Sequence, residues 1–448
     1  MSATLSPTLF SKERALSLIE SIIAQSQSDG VFASLQAGES ALSRFSENQI
    51  GQNLVKNRFK LKITSYFGKR TASSSTTESD PEALRETLRR SEELARFAPE
   101  DPEWMPLLSP QTYDERVPAF DEGTANLSPQ ERGELVNRVC TLARNAKMEG
   151  SGSLSTEVQI SAIGNSTGLR ASDRVTEADF SFTARGDRGS SWGSETSFAI
   201  ADIPLAATAK TTLELAKQAQ NPQDIAPGIY PVIFTPSAFA NLLAWTIWNM
   251  DARAADEGRS FMSRTDETGQ PIGNRIGETL FSPLVQVRRD PAHPLLQSST
   301  FFGGGLPKTA LEIIRQGIPQ TLAYSRYWGQ EKNRSPTGRL FPFVMEGSDR
   351  TLEDLIGATE RGLLINRVWY IGYVNPPTLE MTGMTRDGTF WIENGKISHP
   401  VKNLRFNQSF PDMLRDIDDL TSVRRCGESV VPGVRVKAFN FSSITDSI

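Results

Sequence analysis

The stretch from Arg361 to Ser409 places the strongest constraint on how this chain can fold. It reads RGLLINRVWYIGYVNPPTLEMTGMTRDGTFWIENGKISHPVKNLRFNQS, with dense Gly, aromatic and charged residues at irregular spacing that ordinary core packing does not require. Strands are predicted at 367–374, 378–383 and 389–398. Asp387–Gly388 and Glu393–Gly395 suit hairpin turns. Two interpretations of 378–396 stay open: structural strands, or strands that line a cavity and pair with an extended peptide.

Apolar spacing and capping signals organise the rest of the chain. Helices are predicted at 11–27, at 81–97, from Ser128 to about 146, and at 206–219. Strands are predicted at 58–67, 156–163, 174–185 and 230–234, with a turn at 165–168 and a polar loop at 73–77. The second half opens with a helix at 241–255 and continues with strands at 279–288 and 321–327. The predicted fold class is α+β, with an N-terminal domain (1–225) of antiparallel strands and packed helices and a strand-rich C-terminal domain (226–448).

Charge and cysteine content narrow the partners and the compartment. The 448 residues carry a net charge of −5, whereas duplex DNA binding normally needs a basic surface. No apolar run is long enough for a membrane span, and the first residues do not resemble a signal peptide. Cys140 and Cys426 are too few and too far apart for a secreted disulfide framework. We therefore expect a cytoplasmic protein with no nucleic-acid or membrane partner.

The block at 361–409 closely resembles the C-terminal signature of the TldD/PmbA family of bacterial metallopeptidases. Residues 365–397 and 400–409 match that signature in residue type and spacing. Weaker matches lie at 38–52, 93–104 and 164–168. The resemblance therefore covers most of the chain and implies a TldD/PmbA-like fold.

Active members of the TldD branch carry a His-Glu-x-x-x-His motif on a helix that follows an apolar strand. By that resemblance the two histidines bind metal, the Glu is the general base, and a cysteine near the C-terminus is a third ligand. The matching helix here places Ala244 and Asn249 at the histidine positions and Trp245 at the glutamate. Alanine has no lone pair, and the indole of tryptophan is a donor only, so it cannot act as a base. Cys426 matches the family's cysteine.

A chain that retains the family signature but lacks the His-Glu-x-x-x-His motif resembles the PmbA branch of the family, which is also called TldE. The resemblance implies a non-catalytic subunit of a heterodimer whose TldD-like partner holds the zinc and whose substrates are flexible or unfolded peptides. We therefore expect no catalytic, cofactor-binding or metal-binding residues in this chain and no activity from it alone. Cys426 is the only ligand-like position retained, and one thiolate cannot hold a catalytic zinc.

Two other functions stay open. The chain could be a self-associating protein, such as a homodimer, that binds peptide or another ligand without hydrolysis. It could also be a hydrolase with relocated groups, for which Asp251, Asp256 and Glu257 are the candidates.

Three further motifs are better explained by structural roles than by functional sites. The segment 302–309 resembles a phosphate loop, but Pro307 lacks the N–H needed just before Lys308, which favours a flexible hinge. His293 lies between prolines in a predicted turn beside Asp290, which favours a surface loop over an acid–base pair. His399 is predicted to make only local hydrogen bonds.

Overall fold

The first half of the chain folds into one antiparallel sheet. The structure is a computed structural model that describes residues 11–115, 120–296 and 298–445. Long runs of alternating burial form the strands, and their order in the sheet is β3-β2-β1-β4-β5-β6. The strands are β1 (Gly30–Ser46), β2 (Gln49–Phe67), β3 (Arg70–Thr76), β4 (Glu149–Asn165), β5 (Arg170–Arg185) and β6 (Ser190–Ser197).

Helices cover one face of this first sheet. Two of these helices begin at the N-caps predicted from the sequence. Asp80 accepts hydrogen bonds from two backbone N–H groups of the first turn, and Ser128 forms a capping box with Glu131. Alternate strand residues such as Phe180 and Phe182 pack under the helices. The opposite face is polar and open. The helices are α1 (Lys12–Gln25), α2 (Pro81–Phe97), α3 (Glu122–Ala125), α4 (Pro129–Asn145) and α5 (Leu205–Gln218).

The second half builds a larger mixed sheet around the main hydrophobic core. Its order is β12-β11-β10-β13-β19-β17-β15-β14-β7, and β7 also pairs with β19, so five strands form a closed ring of pairings. β8 (Ser263–Thr265) and β9 (Pro271–Asn274) form a separate two-stranded sheet. The strands of the larger sheet are β7 (Gly228–Phe234), β10 (Val287–Arg289), β11 (Leu311–Arg315), β12 (Ile318–Pro319), β13 (Phe343–Met345), β14 (Arg361–Asn375), β15 (Glu380–Glu393), β16 (Lys396–Pro400), β17 (Leu404–Ser409), β18 (Ile417–Cys426) and β19 (Ser429–Ile444).

The apolar helix α6 lies at the centre of that core. Thr235 caps it, and Phe239, Leu242 and Leu243 are fully buried. The helices of this half are α6 (Pro236–Trp248), α7 (Ala252–Asp256), α8 (Arg326–Glu331), α9 (Leu352–Gly357) and α10 (Phe410–Arg415). None of the helices in the described ranges is long and apolar enough to cross a membrane.

The α+β class is confirmed, but several predicted elements are wrong. The polar loop at 73–77 is mostly strand β3. The helix at 241–255 is two helices with a break at 249–251. Segments 279–288 and 321–327 are mainly loops, because their apolar residues enter the core without joining a strand ladder. The proposed division into domains at 225/226 stays a prediction.

Asp387–Gly388 is a bulge rather than a hairpin turn. Asp387 and Gly388 have φ of 52° and 114°, as a tight turn would need, but both lie inside β15. The register with β14 shifts here, so that Asn366 faces two residues instead of one. The second predicted turn is confirmed, since Asn394 and Gly395 join β15 to β16.

This bulge docks the second sheet onto the first. The Asn366 amide donates to the backbone oxygen of Trp192 in β6 and to that of Asp387, both at 2.9 Å. Ser190 of β6 donates to the Asp387 carboxylate at 2.8 Å. The Arg367 guanidinium lies 4.3 Å from the Trp192 ring centroid. The signature block therefore joins the two halves of the chain.

Candidate functional site

One face of α6 lines a cavity of about 440 Å³, here called the helix cavity. Residues three and four apart on a helix share a face, and this face presents Ser237, Ala240, Asn241 and Ala244. Cys426, at the end of β18, lines the same cavity. The first sheet closes it with residues such as Asp179 and Trp192.

Cys426 is held as a neutral thiol. Its Sγ lies 3.9 Å from the Ser237 hydroxyl oxygen. Burial raises the pKa of the thiol to about 11, and the hydrogen bond from Ser237 offsets this only in part. Because the thiolate is the form that binds metals and attacks electrophiles, Cys426 is a poor ligand and nucleophile near neutral pH.

The three positions matched to the peptidase motif do not share one site. Ala244 lines the helix cavity with Cys426. The ring of Trp245 instead packs edge-to-face on Tyr373, with centroids 5.1 Å apart. Asn249 ends α6: its amide donates to the Trp245 carbonyl oxygen at 2.8 Å, and its side-chain oxygen accepts from the Tyr373 hydroxyl at 2.9 Å. Trp245 and Asn249 therefore line a different surface from Cys426.

The helix cavity does not fit a catalytic zinc. Such a site normally has three protein ligands, whereas the α6 face offers a methyl group at Ala244, a neutral hydroxyl at Ser237 and an amide at Asn241. Within the described residues, no cluster of three or more His, Cys, Asp or Glu could hold a metal ion. Sequence matching missed Ser237 and Asn241, although their spacing of seven and three residues before Ala244 places them on its face.

The candidate relocated acids are all engaged in structural contacts. Asp251 caps α7 by accepting from the Ala254 N–H at 2.8 Å. Asp256 accepts from the Asn274 amide and the Trp328 indole, each at 2.8 Å. Glu257 pairs with two arginines. The three acids therefore stabilise the region after α6.

Both histidines make short-range contacts. His293 Nδ1 accepts from the Leu295 N–H at 3.2 Å, in the predicted turn, and burial lowers the pKa of its ring. His399 Nδ1 lies 3.1 Å from the Ser398 hydroxyl. The expectation of local hydrogen bonding at His399 is confirmed.

A second cavity of about 720 Å³, here called the inter-sheet cleft, lies between the open face of the first sheet and loops of the second half. The sheet wall is polar because it consists of the alternate residues that do not face the helices. The opposite wall comes from the loops at 298–308 and 338–342 and from Arg425 and Glu428. The sheet wall includes Ser34, Gln36, Glu157, Gln159, Ser161 and Glu177.

The sheet wall of the cleft holds a carboxylate with a raised pKa. Glu157 and Glu177 are directly opposed on β4 and β5. Burial, and then the charge of Asp179, raises the pKa of Glu177 to about 7. Arg425, which is 8% exposed, pairs with Glu177 at 3.4 Å and offsets part of that rise. Glu177 therefore exchanges its proton near neutral pH.

The two cavities adjoin, because Phe341 and Glu428 line both. No residue of the signature block 361–409 lines either the cleft or the helix cavity. Within 378–396, Asp387, Gly388, Thr389 and Trp391 line two other pockets. The structural interpretation of 378–396 is supported instead by the ring that these strands close and by their docking onto the first sheet.

Comparisons with known proteins agree with this architecture. The family model of the PmbA/TldA metallopeptidase central domain matches residues 122–220, and that of the C-terminal domain matches residues 227–443. Over 449 aligned residues the chain is 23% identical to the metalloprotease PmbA of Escherichia coli O157:H7. This alignment covers 92% of this chain and 91% of that protein. It is 27% identical to a PmbA homologue of Haemophilus influenzae over 206 residues, 44% of this chain and 42% of that one.

Solved structures share the fold along nearly the whole chain. TldE from Thermococcus kodakarensis has a TM-score of 0.81 at 18% identity, covering 96% of this chain and 99% of its own. A protein from Bacteroides thetaiotaomicron described as a modulator of DNA gyrase has a TM-score of 0.83 at 18% identity, covering 97% and 100%.

The two docked sheets define an α+β protein, and the matching family models place it in a metallopeptidase-related class. The chain belongs to the TldD/PmbA family.

Proposed function

We propose that this chain is the non-catalytic, TldE/PmbA-like subunit of a heterodimeric peptidase. A TldD-like partner would hold the zinc, and flexible or unfolded peptides would be degraded or processed by the pair. The observation that carries this proposal is the ligand-poor wall of the helix cavity, where Ala244 faces the same space as the neutral thiol of Cys426.

The chemistry of that wall supports a non-catalytic role. Metal-assisted hydrolysis needs a metal-bound water of lowered pKa and a base to take its proton. The α6 face supplies neither ligands nor a base. The relatives called metalloproteases support peptide processing as the function of the complex.

The inter-sheet cleft supports a role in holding peptide. Its volume of about 720 Å³ is within the range of ligand pockets. Its sheet wall presents a row of amides, hydroxyls and carboxylates that an extended peptide could contact.

Reconstitution with a TldD-like chain tests the proposal. The purified chain alone should bind no stoichiometric zinc and should not hydrolyse an unfolded protein such as reduced, alkylated casein. Activity should appear when a TldD-like chain with an intact motif is added. It should be absent when that chain carries alanine at its two motif histidines. Stoichiometric zinc and peptide cleavage by this chain alone would refute the proposal.

Ligand binding by a homodimer is the second candidate, because the inter-sheet cleft of about 720 Å³ is large enough for a peptide or another small ligand. Native mass measurement separates the two. A stable homodimer that captures no TldD-like chain would favour binding without hydrolysis, whereas a heterodimer would favour the companion subunit.

We also propose a cytoplasmic location. Cys140 and Cys426 are both free thiols, and free thiols are typical of reducing compartments. Recovery of the protein in a periplasmic or secreted fraction would contradict this.

A further inference from the structure

Residues 302–309, predicted as a hinge, belong to a hydrogen-bonded hairpin that starts at Thr300 and carries Lys308 into the wall of the cleft. The Lys308 N–H donates to the Thr300 carbonyl at 2.9 Å, and the Phe302 N–H donates to the Leu306 carbonyl at 2.8 Å. Asp173 of β5 accepts from the Thr300 N–H at 2.6 Å and from its hydroxyl. The hairpin is therefore fastened to the opposite wall of the cleft.

Lys308 places an ammonium group in the cleft without a carboxylate partner. Its Nζ donates to the Ser299 hydroxyl at 2.8 Å and to that of Ser298 at 3.3 Å. Among the described residues, no carboxylate lies within ion-pair distance of it. Asp173 and Glu428 act on it only from farther away, and burial lowers the pKa of the ammonium. A partly desolvated cation of this kind is stabilised by an anion that enters the cleft.

Two more donors lie on the same side of the cleft. Arg339 lines it, and its charge contributes to lowering the pKa of Lys308. The Arg339 guanidinium lies 5.2 Å from the Trp248 ring centroid and has no carboxylate partner among the described residues. The Gly303 N–H at the tip of the hairpin has no acceptor within the described part of the chain, and Gly303 also lines the cleft.

A buried arginine holds these donors in place. Arg289 is 1% exposed. Its guanidinium donates to the carbonyl of Thr309, after the hairpin, and to those of Thr337 and Arg339, at distances between 2.6 and 2.8 Å. The segments that carry Lys308 and Arg339 are thus joined before any ligand arrives.

We propose that Lys308, Arg339 and the Gly303 N–H form a binding site for a carboxylate group of a peptide in the inter-sheet cleft. The inference rests on the proposed function in taking the ligand to be a peptide. The carboxylate comes either from the end of the peptide chain or from an acidic side chain, and charge-assisted hydrogen bonds recognise both in the same way.

Three matched peptides test this site on the full-length chain. They are N-acetyl-tetraalanine with a free C-terminal carboxylate, the same peptide as its C-terminal amide, and that amide with one alanine replaced by glutamate. Binding is measured by calorimetry at low salt for the wild type, for Lys308→Met, and for Lys69→Met as a control. Lys69 is exposed in the turn between β2 and β3, so its variant removes the same charge away from the cleft.

The free-carboxylate peptide should bind the wild type and Lys69→Met at least about tenfold more tightly than the amide, since a hydrogen bond to a charged group is worth one to a few kcal/mol. Lys308→Met should abolish that preference. Binding of the glutamate peptide as tight as that of the free carboxylate would show that the site accepts both kinds of carboxylate, and weak binding of the glutamate peptide would assign the site to the chain end.

Equal binding of carboxylate and amide, a preference kept by Lys308→Met, or no binding up to about 10 mM would overturn the inference. Should Lys308→Met fail to fold, mass spectrometry of acetylated wild type decides instead, since the free-carboxylate peptide should slow acetylation of Lys308 and not of Lys69. Failure here leaves partner-dependent hydrolysis untouched, so the two proposals fail separately.

Discussion

Arg367 and Asp387 form an ion pair with 2.6 Å between Nη1 and Oδ2, in which Asp387 is 4% exposed. The pair lies where the bulge of β15 meets β14, and Ser190 of the first sheet donates to the same carboxylate. A signature shared with a family of metallopeptidases thus forms a structural junction between two sheets.

Asp387→Asn should destabilise the protein by about 3 kcal/mol, because removing one partner leaves a buried charge uncompensated. Urea unfolding followed by tryptophan fluorescence measures the free energy of unfolding. Glu214→Gln is the control: it breaks the exposed pair with Lys217, and such pairs contribute less than about 1 kcal/mol. Equal losses in the two variants would show that the Asp387 pair contributes no more than a surface pair.

Gly388→Ala should destabilise the protein by about 1–3 kcal/mol. Gly388 has φ of 114°, which side-chain-bearing residues rarely adopt, and a Cβ there would lie 3.1 Å from Cβ of Asn366. Gly372→Ala is the control, since it lies in β14 with no atom within 4 Å of the added methyl. A thermal scan of both variants checks the difference, and a Gly388→Ala variant as stable as Gly372→Ala would contradict it.

Cys426 should alkylate slowly near neutral pH. Burial raises its pKa to about 11, well above the value of about 8.5 for a free cysteine, so little thiolate is present. The rate of iodoacetamide labelling, followed by peptide mass spectrometry, should keep rising as the pH rises from 7 to about 10. Labelling as fast as that of glutathione at pH 7 would show an activated thiol and weaken the case against a reactive site.

Glu177 should make stability decline as the pH rises towards neutral. Burial and Asp179 raise its folded-state pKa from an ordinary 4.5 to about 7, so the folded protein holds this proton longer than the unfolded chain does. Its contribution to the free energy of unfolding is fully present below the unfolded-state pKa of 4.5, and it is lost as the pH rises through the folded-state pKa of about 7.

The matched variant for this effect is Glu177→Gln, which keeps a neutral side chain at every pH. Urea unfolding at pH 5 and pH 8 should show a smaller decline in Glu177→Gln than in the wild type. The decline should be unchanged in Glu149→Gln, on the same sheet but outside the cleft. An equal decline in Glu177→Gln and the wild type would place the titrating group elsewhere.

Local patterns predict parts of three strands of the first sheet, β2, β4 and β5, and the helices α1, α2, α4 and α5. The helix N-caps at Asp80 and Ser128 are predictable from the sequence, because a cap involves only residues within one turn. The strand predictions at 279–288 and 321–327 are wrong, because apolar spacing indicates burial and does not indicate strand pairing. Leu280, Phe281 and Leu322 are buried in the core from loops.

The sequence predicts only part of the candidate site. The resemblance paired Ala244 with Cys426, and both line the helix cavity. It also assigned Trp245 and Asn249 to the same site, whereas both contact Tyr373 instead. The break after Trp248 ends the helical spacing on which the alignment depends.

The sequence by itself determined the family and the scarcity of histidine ligands, because the residue types present are a property of the chain alone. The two histidines, His293 and His399, are 106 positions apart, which excludes the His-Glu-x-x-x-His motif however the chain folds. Only the tertiary structure decided that the signature block docks two sheets, and that Glu177, Lys308 and Arg425 line one cleft. More than a hundred residues separate each of these from the next, so tertiary packing within the second half, and between it and the first sheet, brings them together.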